Sequence, residues 1–110
     1  MNDRELLELA ARAAGMPPPY DANDVFTAWI PGKDPHSEYG HWWDPLNDDG
    51  DALRLAVKLK LDIEFDGSMV NVNYVSSEGW LRFVDESIET EDGVRRAIVS
   101  AAAEIGRDMP

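Results

Sequence analysis

The chain has 110 residues, 22 acidic against 10 basic side chains for a formal net charge of −12, and no cysteine. That length sets a single domain, residues 1–110, with one core and no need of staples, and the missing cysteines exclude disulfides, thiolate metal sites and cysteine nucleophiles. The charge repels phosphate backbones and anionic lipid at long range, so neither nucleic acid nor membrane is an expected partner.

Residues 3–14 predict a helix, because Leu6, Leu9, Ala10 and Ala13 recur at helical spacing. Asn2 or Asp3 caps its start, and Glu8 stands four residues before Arg12 for a supporting ion pair. Gly15, followed by Pro17-Pro18-Pro19, supplies a cap and a stop. The opening Met1-Asn2-Asp3-Arg4-Glu5 carries acids where a signal peptide carries a basic region and an apolar run. A soluble, cytoplasmic location is expected.

Residues 16–48 hold six of the seven prolines. Two short apolar runs, 25–30 and 39–43, are expected as strands at edge positions, joined by Pro31-Gly32-Lys33-Asp34-Pro35. A second helix follows over 47–60, acids leading and bases trailing as the helix dipole favours. Its expected buried stripe is Leu53, Ala56, Val57 and either the Lys60 stem or Leu61. Leu61-Asp62-Ile63-Glu64-Phe65 then alternates strictly, Asp66-Gly67 is a hairpin turn, and Val70, Val72 and Tyr74 alternate on the return. A second turn over 76–79 leads into 80–84, completing a three-stranded meander. The last helix begins near Thr90, with Val94, Ala97, Ile98, Ala101, Ala102 and Ile105 on one face and Gly106 as its end. Glu91 with Arg95 and Asp92 with Arg96 are acid-first pairs at four-residue spacing.

Few constellations suggest chemistry. Setting Gly50 at the sixth position of a calcium loop puts Pro45 at the first and Ala56 at the twelfth, and both ends fail. The acids of 44–51 are therefore read as caps and dipole partners; a magnesium site from Asp48, Asp49 and Asp51 has no further support. His36 and His41 lack a ligand spacing. His41 near Asp44 resembles a base and its orienter, yet no nucleophile accompanies them. Asp85, Glu86, Glu89, Glu91 and Asp92 would need one desolvated carboxyl to act as an acid/base pair, and a run leading into a helix is usually solvated. No catalytic, cofactor or metal residue is assigned. Trp42 and Trp43 are adjacent, so on a strand their rings point to opposite faces. One enters the core; the other is covered by loop packing or meets a partner. The residue-level candidates for a partner surface are Tyr39, His41, Trp42, Trp43 and Asp44.

Three blocks also resemble a known family. They are Asp3-Arg4-Glu5-Leu6-Leu7-Glu8-Leu9-Ala10-Ala11, the stretch from Trp43-Asp44-Pro45 to Ala56-Val57-Lys58-Leu59, and the stretch from Arg95-Arg96-Ala97 to Glu104-Ile105-Gly106. Together they look like the phage ABA sandwich domain of small proteins from tailed phages and prophages. One departure is Glu91-Asp92-Gly93-Val94, which stands where that family carries an Asp-Pro and an Ala-Ala-Thr. The resemblance implies helices on both faces of a sheet and brings no catalytic residues. The expected fold is thus an α+β, single-domain α/β/α sandwich, three helices on a mainly antiparallel sheet of three to five strands. Asp62, Glu64 and Asp66 share one side of their strand, so that side is expected to meet water. The expected function is a phage accessory protein of the bacterial host cytoplasm, a non-enzymatic module that binds a host or phage protein. A self-associating module seamed at 39–43, and a small metal-dependent enzyme built on His41, Asp44, Asp48 and Asp49, are the alternatives.

Overall fold

Helix α1 (Asp3–Ala13) starts where the Asn2 side chain accepts the Glu5 N–H at 2.8 Å. It ends in a Schellman turn: Gly15 takes a φ of 77°, its N–H meets the Arg12 carbonyl, and the Met16 N–H meets that of Ala11. Leu6, Ala10, Ala11 and Ala14 are buried. Glu8 pairs with Arg4 at 3.2 Å and not with the expected Arg12, which reaches the carbonyls of Met109 and Pro110 instead. The structure, a computed structural model, describes residues 2–16 and 42–110 in full, and strand backbone at 21–22, 25–26, 29–30 and 41.

Strand β1 (Asp21–Ala22) pairs with β2 (Val25–Phe26), and β3 (Trp29–Ile30) with β4 (His41–Trp42), both antiparallel. The apolar run 25–30 is therefore divided between two small ladders, and neither joins the main sheet.

Helix α2 (Asp49–Leu59) is capped by Asp48, whose carboxylate accepts the Gly50 N–H at 3.3 Å. Its end is another Schellman turn, closed by Leu61 N–H on the Ala56 carbonyl, with Lys60 in the left-handed region at φ 56°. The buried face is Ala52, Leu55 and Ala56, whereas Leu53 and Val57 are 59% and 70% exposed. The stripe expected from sequence is thus rotated. Apolar residues recur around most of this helix, and the face bearing Ala52 and Ala56 is the one small enough to approach a neighbour closely.

The meander is β5 (Asp62–Asp66), β6 (Met69–Val75) and β7 (Leu81–Ser87), antiparallel in that order. Gly67 takes the first central position of the hairpin at φ 58°, the positive φ that a type II′ turn requires there. The register sets Ile63 opposite Val72 and Val72 opposite Val84, so one face carries these with Phe65, Val70 and Tyr74. Val70 and Val72 are fully buried under α3 (Gly93–Arg107).

Helix α3 is the centre of the molecule, packed on β6 and β7 and flanked by α1 and α2. Ala97, Ile98, Val99, Ala101, Ala102 and Ala103 are all buried, so this helix hides more than the single expected face. Gly106 lies inside its last turn and does not end it; a Cβ there would overlap the Leu9 carbonyl oxygen of α1. The two expected pairs within α3 are replaced by tertiary ones. Arg95 meets Asp49 at 2.6 Å and the Leu46 carbonyl at 2.9 Å, and Arg96 meets Asp3 at 2.6 Å. The fold is α+β, three helices packed on a three-stranded antiparallel sheet.

Candidate functional site

The aromatic segment is split by the fold. Trp43 is 7% exposed and lines a small cavity with Ala14, Met16, Asp51 and Leu55, while Trp42 is 62% exposed. One of the two adjacent rings is thus buried and the other exposed. The Asp44 carboxylate accepts the Asn47 side-chain amide at 3.1 Å, closing the turn into α2. Of the described candidates, Trp42 alone offers a large open surface; Tyr39 and the His41 side chain lie outside the described residues.

The acidic run before and within α2 works as scaffolding. Asp48 caps, Asp49 holds Arg95, and Asp51, 1% exposed, accepts the Asp44 N–H at 2.9 Å and Arg54 Nη2 at 2.8 Å. Asp51 ties the strap carrying Trp43 to the first turn of α2. Among the described residues no group of three or more His, Asp or Glu is arranged to hold a metal ion.

The second acidic run is dispersed. Asp85 points outward from β7, and Glu86 points inward beside Arg96 and Ser100. The Thr90 side-chain hydrogen bond, then a backbone one, hold the Asp92 carboxyl below its ordinary range, the opposite of what a general acid requires. Asp49 pushes the Arg95 guanidinium up through their hydrogen bond. At the far end of α3, Tyr74, Arg82 and Glu104 line a polar cavity of about 260 Å³. Burial, and secondarily Glu104, raise the Tyr74 phenol.

A surface that the residue-level candidates missed is the outward face of the sheet. Pairing places Asp62, Asn73 and Phe83 in one row, Glu64, Asn71 and Asp85 in the next, and Asp66, Met69 and Ser87 in a third. Val75 and Leu81 pair at the opposite end, beside Trp80. Phe83, Leu81, Val75 and Trp80 are each more than 60% exposed. The face thus holds four carboxylates, no basic residue and an apolar end. The alternation of β5 gave half of this signal; the apolar half needed the register between β6 and β7.

Beside it, among the described residues, the inner face is open at β5. Helix α3 covers β6 and β7, and a groove of about 380 Å³ remains between α2, β5 and α3. Ala52, Leu53, Ile63, Phe65, Val94 and Ile98 line it, with the Asp49–Arg95 pair at its end. No helix of the described residues is long and apolar enough to cross a membrane. No protein-family model, no curated protein and no solved structure matches this chain.

Proposed function

We propose that this chain is a non-enzymatic protein-binding module that presents its outward sheet face to a basic partner. The observation that carries this reading is the face itself, with Asp62, Glu64, Asp66 and Asp85 beside exposed Val75, Leu81 and Phe83. Apolar contact supplies affinity, while the carboxylates select sign and speed encounter. The arginines of the described helices are largely engaged by acids of the same chain, Arg54 by Asp51, Arg95 by Asp49 and Arg96 by Asp3, which leaves little for a polyanion. On the likeness of its three helical blocks, the chain acts in the cytoplasm of a bacterial host as a phage or prophage accessory protein, and its partner is a host or phage protein.

The test is affinity capture from host lysate on the natural chain and on a chain carrying Asp62→Asn, Glu64→Gln, Asp85→Asn and Phe83→Ala. One saturable basic protein, released by salt and lost on the variant, is the expected outcome. Equal retention by both chains would remove the sheet face from the account.

Self-association is the second reading, favoured by the 62% exposure of Trp42. Sedimentation that finds a single monomer at high concentration eliminates it.

A further inference from the structure

We infer that the edge of β5 away from β6, unpaired among the described residues, takes up an extended segment of a basic partner, alternating basic and apolar residues and adding as a fourth strand beneath α2. This rests on the reading of the chain as a protein-binding module. Among the described residues β5 pairs with β6 alone. A two-residue turn is closed by a hydrogen-bonded pair, here Asp66 with Met69, and such pairs alternate along an antiparallel ladder. The N–H and C=O groups of Ile63 and Phe65 are therefore directed at the edge away from β6, where an added strand finds them.

The two sides of that edge set the pattern of the incoming strand. On the inner side Phe65 is 65% exposed beside the groove, and Leu53 forms the opposite wall. Val57, one turn along α2 from Leu53, is 70% exposed. Inward side chains of an added strand enter this apolar space, so they are apolar. On the outer side the strand would meet Asp62, Glu64 and Asp66, all exposed, so its outward positions are lysine or arginine. A second copy of this chain is a poor occupant. Antiparallel pairing of two β5 edges would set Glu64 against Glu64 and Asp62 against Asp66, and like charges directly opposite are destabilising.

The experiment titrates the isotopically labelled full chain with a capped peptide of alternating lysine and valine, reading amide shifts and hydrogen exchange. The expected result is slowed exchange at Ile63 and Phe65. The double change Asp62→Lys with Glu64→Lys is expected to weaken that peptide by roughly tenfold or more and to gain a glutamate–valine peptide instead. Leu53→Lys, on an exposed helix face, keeps the test open should the double variant not fold; it too is expected to weaken the lysine–valine peptide. Shifts confined to Asn71, Asn73, Phe83 and Asp85 would overturn the edge inference and leave the protein-binding reading standing. No response at any amide would also overturn it, and the capture experiment then judges the broader reading separately.

Discussion

Asp51 is the residue on which the local structure turns. Its carboxylate is 1% exposed and accepts hydrogen bonds from Asp44 N–H and Arg54. Asp51→Ala deprives both donors of this acceptor and opens space beside Trp43, so it should cost about 2–3 kcal/mol in denaturant unfolding. Arg54 is mostly solvated, and Arg54→Ala should cost at most about 1 kcal/mol. Equal losses for the two would mean that the ion pair, and not the strap, is what Asp51 supports. Lys60 makes the contrary case, since its φ of 56° strains a side chain that glycine would relieve. Lys60→Gly should therefore raise stability by about 0.5–1 kcal/mol. Tyr74 gives a pH signature. Its folded pKa is raised above 10.0 by burial, so its contribution is complete below the unfolded pKa and is lost as pH rises through the folded one. Thermal melts of Tyr74→Phe should fall less steeply above about pH 10 than those of the natural chain. Parallel curves would contradict that assignment.

At the scale of elements, α1 approaches α3 closely. A Cβ at Gly106 would overlap the Leu9 carbonyl oxygen, a backbone atom that cannot rotate away. Gly106→Ala should destabilise by about 3 kcal/mol despite alanine's better helix propensity, measured by chemical unfolding. Here the sequence was only partly legible. Caps, turn chemistry and strict alternation are local signals, so α1, α2, α3 and the β5–β6–β7 meander could be read from residues a few positions apart. Facing is not local. Which side of α2 is buried depended on the alanines that let α3 come close, and periodicity alone favoured Leu53 and Val57. Arg95 and Arg96 were likewise read as partners of Glu91 and Asp92, because nothing in the spacing shows that Asp49 and Asp3 approach from other helices.

For the whole molecule, a net charge of −12 gains meaning only from where the acids stand. Those at α1 and α2 secure a cap and helix–helix contacts, whereas those on the outer face of the sheet are left facing water. The candidate surface was half legible: the acid alternation of β5 foretold a solvated side, but the apolar end at Val75, Leu81 and Phe83 emerges only when β7 is placed in register. Of the tryptophan pair, Trp42 is exposed and Trp43 is buried. The most direct test of the docking face is to map the captured partner onto the isotopically labelled chain by amide chemical shifts. The expected perturbations fall at Asn71, Asn73, Phe83 and Asp85 and fade as salt is raised. Perturbations confined to residues 42–46, insensitive to salt, would contradict it.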